Sequence, residues 1–179
     1  MNILITGPPG VGKTTVLEEI KKTLTSKGYS VGGIYCPEIR EKGKRTGFNI
    51  IDIASGRKGV LASTHLHNHI QGPKVGKYTV NLDDIIEIGI TAIENAIGTL
   101  NYIFIDEIAP MELKSADFPQ AVWKAMDSQK TVIAVIHQRS QHPFILKVKN
   151  REDVKIFHIT SENRDSITEK ILESLDKLP

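Results

Sequence analysis

The octapeptide Gly7-Pro8-Pro9-Gly10-Val11-Gly12-Lys13-Thr14 matches G-x-x-x-x-G-K-[ST] at every fixed position. The residue types suit one task. Glycines let successive backbone N–H groups converge on phosphate oxygens, where a Cβ would obstruct the turn. Lys13 brings an ammonium group to the β- and γ-phosphates, and Thr14 offers a hydroxyl to Mg²⁺. The helix expected to start near Lys13, with Thr15 in its first turn, points its partial positive end at the same anion. The stretch Gly7 to Thr15 is therefore expected to bind a nucleoside triphosphate together with Mg²⁺.

A second constellation complements the first. Tyr102-Ile103-Phe104-Ile105 reads as a buried strand, and it runs straight into Asp106-Glu107. In a doubly wound sheet that position lies at the carboxyl edge, where ligands bind. Asp106 is expected to hold the metal with Thr14, as the second acidic element of P-loop enzymes does. Glu107 leaves the strand in another direction and is placed to polarise a water in line with the γ-phosphate.

Phosphoryl transfer also calls for a cation near the γ-phosphate oxygens, and Arg40, Lys42, Arg45 and Arg139 are the candidates, with Arg45 first. His137 closes an apolar run and is placed either to sense the phosphate or to be satisfied by a carbonyl. Asn163 and Arg164 begin the last helical stretch, where related folds place the nucleotide base; Asn163 is equally a good N-cap. Three imidazoles alternate in His65-Leu66-His67-Asn68-His69, but with no Cys and no obvious carboxylate beside them, a polar strand face explains the pattern better than zinc. Cys36 reads as a small buried residue rather than a nucleophile, and Trp123 as packing.

These groups need a scaffold. Short Ile/Val-rich runs recur at Asn2 to Thr6, Ser30 to Cys36, Phe48 to Ile53, Tyr102 to Asp106, Thr131 to Ile136 and Val154 to Ile159. Between them, apolar residues spaced by three or four define helix faces: Val16, Ile20 and Leu24; Ile86, Ile90, Ile93 and Ile97; Ile167, Ile171, Leu175 and Leu178. The alternation predicts an α/β fold, a mainly parallel sheet covered by helices on both faces. Gly43, Gly47, Gly56, Gly59, Gly72 and Gly76 break the rhythm, so residues 37–78 are expected to form a small β-rich insertion within a single domain spanning 1–179.

Composition narrows the function classes. The excess of 23 Lys and Arg over 21 Asp and Glu leaves a net charge of +2, too small for a dedicated nucleic-acid binder. A single Cys precludes an internal disulfide, no charged leader precedes the first strand pattern, and no apolar run approaches a membrane span. A cytoplasmic protein without a membrane partner is expected. Nothing in the sequence specifies a protein partner.

Read together, the P-loop, Arg40 to Phe48, Val75-Gly76-Lys77-Tyr78-Thr79-Val80, Asp106-Glu107-Ile108-Ala109-Pro110-Met111-Glu112-Leu113, Val135-Ile136-His137 and Thr160 to Asp165 stand in a recognisable order. The chain resembles the THEP-type nucleoside-triphosphatase family, first named from thermophiles and related to human cancer-related nucleoside-triphosphatase. The family pattern usually has Gly where this chain has Ala109. The resemblance implies a kinase-like P-loop fold and Mg²⁺-dependent hydrolysis of ATP, GTP and other nucleoside triphosphates to the diphosphate and phosphate. Two alternatives share the cradle: a nucleoside or small-molecule kinase, in which Glu107 takes a hydroxyl proton from the acceptor, and a nucleotide-dependent binding module. No N-K-x-D guanine motif occurs, which argues against a GTPase of the signalling type.

Overall fold

The computed structural model describes residues 1–65 and 72–176. In chain order they form β1 (Asn2–Thr6), α1 (Lys13–Ser26), β2 (Val31–Tyr35), β3 (Glu38–Glu41), β4 (Lys44–Asp52), β5 (Lys58–Ser63), β6 (Lys74–Val75) and β7 (Tyr78–Val80). There follow α2 (Leu82–Asp84), a π-helical stretch (Ile85–Ile90), α3 (Thr91–Thr99), β8 (Tyr102–Ile108), a 3₁₀ turn (Glu112–Lys114), α4 (Phe118–Asp127), β9 (Thr131–Ile136), α5 (Pro143–Lys149), β10 (Val154–His158) and α6 (Ile167–Asp176).

Among the described residues ten strands share one sheet, ordered β10-β1-β9-β8-β2-β4-β5-β7-β6, with β3 paired to β4. From β10 to β2 every pairing is parallel. Strands in such a sheet are covered on both faces, which is why they read as unbroken apolar runs rather than alternating ones. The pleat sorts their side chains between two cores. Leu4, Ile103, Ile105, Val132 and Ala134 pack with Ile93, Val122, Met126 and Ile145 from α3, α4 and α5. Ile3, Ile5, Phe104, Ile133 and Val135 pack on the other face with Val16, Ile20 and Leu24 of α1 and Ile167, Ile171 and Leu175 of α6. Each fully buried Ile or Leu contributes about 1.5–3 kcal/mol to holding these layers together.

Beyond β2 the sheet continues with antiparallel strands. The end of β4 pairs with β2 (Ile34 with Asp52, Tyr35 with Ile51), and its beginning pairs with β3 (Glu38 with Phe48). β5, β7 and β6 extend the same edge. The β3–β4 hairpin turns at Lys42 and Gly43, both in left-handed backbone conformation. Because β3 follows β2 after only two residues, this hairpin stands at the carboxyl end of the parallel strands, where the site lies.

One expected helix face is corrected. Ile86 was placed on an inward stripe, yet it is 44% exposed, while Ile85 and Ile88 are buried. The buried stripe is Ile85, Ile88, Gly89, Ala92, Ile93 and Ala96, and it begins in a six-residue π-helical stretch whose wider turn leaves Ile86 on the outer side. No helix among the described residues is long and apolar enough to cross a membrane.

Candidate functional site

The loop after β1 is shaped by its glycines. Gly10 and Gly12 have φ of 74° and 107°, a region that side chains rarely enter, and a Cβ at Gly7 would stand 2.6 Å from the Ile159 carbonyl oxygen. Gly12 caps α1 without a side chain, so the first-turn N–H groups of that helix face the loop's hollow. Lys13 folds back over it, its ammonium donating to the carbonyl oxygens of Gly7 and Pro8, each at 3.1 Å.

The sheet brings β8 beside this loop. Thr14 Oγ1 donates to Asp106 Oδ1 at 3.3 Å, joining the first turn of α1 to the end of β8 across 92 residues of sequence. The Cys36 N–H donates to the other oxygen, Oδ2, at 3.4 Å. Asp106 is only 4% exposed. Desolvation pushes its carboxyl up to about 7, and the Cys36 and Thr14 hydrogen bonds offset only part of that push. The peptide between Asp106 and Glu107 is cis, and the pairing of β8 with β9 shifts register there. Burial also raises the Glu107 carboxyl, with the Lys13 ammonium pulling the other way.

A third carboxyl joins these two. Glu112, in the 3₁₀ turn, is 3% exposed, and its Oε2 has no hydrogen-bond partner among the described residues. Desolvation, with Glu107 and Asp106 adding like charge, holds this carboxyl well above the usual range. Sequence reasoning assigned it no role. The available signal was a lone carboxylate inside the otherwise apolar run Ile108 to Leu113. Cys36 packs against the core and borders the same acids, and burial followed by their charge raises its thiol, so it is no thiolate nucleophile.

At the end of β9, His137 places a buried Nδ1 without a hydrogen-bond partner on the site. Burial, then the charges of Lys149 and Lys13, lower its pKa, which keeps the imidazole neutral. Lys149 braces the segment by donating to the carbonyl oxygens of His137 and Gln138, each at 2.9 Å.

Lys13, Thr14, Cys36, Asp106, Glu107, Glu112 and His137 line one cavity of about 730 Å³ that extends from the glycine loop to Phe48, Leu61 and Val75 of the antiparallel strands. Arg45 and Arg139 also line it; Arg40, Lys42 and Asn163 do not. Arg45 is held by Glu38 Oε1 at 2.8 Å and by the Tyr78 hydroxyl at 3.0 Å. Arg139 has no hydrogen bond or ion pair among the described residues. Arg40 is paired to Glu38. Asn163 spends its side chain locally, accepting from Thr160 N–H and donating to the His158 carbonyl, so it fixes the loop before α6 and does not cap the helix through its side chain. Arg164 is likewise off the cavity, beside Asp165. Ala109 lines the cavity with a negative φ, so the position makes no demand for Gly. His67 and His69 of the imidazole triplet lie outside the described residues. No cluster of three or more His, Cys, Asp or Glu among the described residues is arranged to hold a metal.

The chain matches the family model described as NTPase over residues 2–172. It is 46% identical over 175 residues to the protein named nucleoside-triphosphatase THEP1 of Thermotoga maritima, covering 98% of this chain and 95% of that one. The protein of the same name from Methanopyrus kandleri is 43% identical over 173 residues, covering 96% and 93%. Among solved structures, the crystal structure of THEP1 from Aquifex aeolicus superposes with a TM-score of 0.83 at 35% identity, covering 99% of this chain and all of that one. The solution structure of a human cancer-related nucleoside triphosphatase gives the same TM-score at 33% identity, covering 99% and 98%.

Proposed function

The chain belongs to the NTPase family, and on that premise we propose a division of labour among the residues with which this nucleoside-triphosphatase cleaves the β–γ bond of its substrate. The observation that supports the reading is the Thr14–Asp106 contact, which ties the phosphate loop to the acidic end of β8, where Glu107 is the next residue.

The loop N–H groups from Gly7 to Thr15 enclose the polyphosphate, and Lys13 releases the Gly7 and Pro8 carbonyls to donate to its β- and γ-oxygens. Glu107 orients the attacking water and takes its proton as the oxygen–phosphorus bond forms. The diphosphate leaves with the bridging oxygen. Arg139, which has no competing carboxylate among the described residues, donates to the γ-oxygens as charge gathers on them, and Arg45 with Glu38 and Tyr78 fixes the wall of the cavity. The neutral His137 accepts or donates one hydrogen bond at the γ-phosphate through its buried Nδ1.

The donor set suits Mg²⁺. Thr14 and Asp106 are a hydroxyl and a carboxylate in mutual contact, and a dication would offset the desolvation that raises Asp106. Mg²⁺ completes its shell with phosphate oxygens and water rather than with a protein cage, so one acid and one hydroxyl suffice. When bound there it would supply charge neutralisation for the phosphates. The substrates we assign are ATP, GTP and other nucleoside triphosphates, since the sequence carries no N-K-x-D guanine motif. A cytoplasmic location agrees with the absence of a membrane-crossing helix among the described residues and with the unpaired Cys36. Phosphate release should be measured for the four common triphosphates with Mg²⁺ and again with excess EDTA. Release that EDTA leaves untouched would refute the metal assignment, and no release from any of them would refute the whole scheme.

A further inference from the structure

Native proteins keep few buried polar atoms without partners. Among the described residues the two side-chain atoms of this kind are His137 Nδ1 and Glu112 Oε2, and both residues line the same cavity. A bound triphosphate accounts for the first, because His137 stands within the electrostatic reach of Lys13. It does not account for the second. Glu112 sits among carboxyl groups, with Glu107 and Asp106 as its charged neighbours, where a phosphate is repelled. Its partner must be an uncharged or cationic group that shares a hydrogen with a carboxyl.

The cavity that Glu112 shares with the phosphate loop also has apolar walls. Phe48, Leu61 and Val75 line it from the antiparallel strands, and Met111, next to Glu112 in the chain, from the segment after β8. Phe48, Val75 and Met111 are only partly buried, so apolar surface is left facing the cavity. Hydrolysis requires no such surface. Apolar walls with a few convergent polar groups are the mark of an organic ligand site.

Its position relative to the nucleotide is set by the P-loop geometry. Lys13, Thr14 and Asp106 mark the β- and γ-phosphates, and Glu107 lies past them. On the nucleotide-binding reading, the nucleoside half of the triphosphate leaves by the loop's other flank, where Gly7 abuts Ile159. The apolar chamber therefore faces the far end of the triphosphate, beyond the γ-phosphorus.

We propose that this chamber, walled by Phe48, Leu61, Val75 and Met111 with Glu112 at its polar end, is the subsite of a second substrate: a nucleoside-sized alcohol with a flat ring, which receives the γ-phosphoryl group in place of water. The inference rests on the nucleotide-binding reading given above. The acceptor hydroxyl oxygen bonds to the γ-phosphorus as the bond from that phosphorus to the β–γ bridging oxygen breaks. The hydroxyl proton passes to Glu107, and the diphosphate departs with the bonding electrons, leaving a phosphate monoester. Glu112 holds a ring N–H or second hydroxyl of the acceptor and so sets its register; it is a positioning residue.

The test uses the full chain with γ-labelled ATP and Mg²⁺, adding in turn adenosine, guanosine, cytidine, uridine and, as an alcohol without a ring, glycerol. Label in organic monoester and in free phosphate is separated by thin-layer chromatography. The expected result is transfer to at least one nucleoside in preference to glycerol, with Val75→Trp lowering the ratio of transfer to hydrolysis at least tenfold. Because a ratio is read, partial loss of folded protein does not move it. Glu112→Gln, which keeps a hydrogen-bonding group, should retain more of that ratio than Glu112→Leu, whereas a residue that only packs would give the opposite order. Phosphate release to water with no transfer to any nucleoside overturns the acceptor subsite and leaves the hydrolase reading intact. Equal transfer to glycerol overturns the ring-binding chamber. Neither release nor transfer overturns both.

Discussion

Replacing Glu107 by Gln isolates the proton-accepting role from everything else in the cavity. The amide has the same shape, and the atoms proposed to bind the nucleotide are elsewhere: the loop N–H groups, the Lys13 ammonium and the Thr14–Asp106 pair. Loss of a positioned general base lowers turnover by about 10²–10⁴-fold, which is about 3–5 kcal/mol of transition-state stabilisation. Binding moves in the other direction. A carboxylate near the γ-phosphate repels it by about 1 kcal/mol per unit charge at contact distance even in bulk water, so removing that charge leaves the Kd equal or tightens it roughly fivefold. Phosphate release under saturating Mg²⁺-ATP gives kcat, and calorimetry with a non-hydrolysable analogue gives the Kd. Lys13→Ala is the contrasting variant, expected to lose binding and turnover together. The role assigned to Glu107 is refuted if Glu107→Gln keeps more than a tenth of the wild-type kcat, or if its Kd weakens as that of Lys13→Ala does.

The remaining predictions concern the arginines and the scaffold. Arg139→Ala should lower kcat on the order of 10³-fold, the size of an arginine finger, while Arg45→Ala, whose guanidinium is already engaged by Glu38 and Tyr78, should lower it less than tenfold; the reverse order in steady-state kinetics would move the finger to Arg45. Gly33→Ala should cost at least about 3 kcal/mol in urea unfolding, because φ there is 100° and the new Cβ would stand 2.1 Å from the Phe104 carbonyl oxygen across the β2–β8 pairing. Arg151→Lys should cost about 1–2 kcal/mol at neutral pH, since Arg151 spans Asp153 through Nε and Nη2 while also meeting Asp127, and the partly exposed acids keep the figure low. The Asp153 carboxyl is held below its ordinary value chiefly by that hydrogen bond. Its contribution is therefore present above an unfolded pKa of about 4 and is lost as pH falls through the depressed folded value, so the gap between wild type and Arg151→Lys in thermal melts should narrow in acid.

The parts of this molecule that could be read from sequence are those in which function or burial dictates residue type locally. Glycines and a lysine at fixed spacing are demanded by the phosphate loop itself, and Asp106-Glu107 announces itself because acids end an otherwise apolar strand. The parallel strands were visible for a related reason: burial on both faces removes polar residues from them. The π-helical stretch was not visible, because its extra residue is set by how the segment packs against β4, where Gly89 lies so close that a Cβ would meet Ile50 Cδ1 at 2.7 Å. The sequence ranks Arg45 ahead of Arg139; only folding reveals that Glu38 and Tyr78 occupy Arg45 and that, among the described residues, no side chain occupies Arg139. Glu112 was hidden in the same way, since a single carboxylate in a short motif means little until three-dimensional packing buries it and leaves its Oε2 without a partner among the described residues. Loop chemistry is thus written in neighbours along the chain, while the acids and bases that decide what the γ-phosphoryl group meets are distinguished by neighbours in space, and the cavity's two unpaired atoms are where that distinction becomes an experiment.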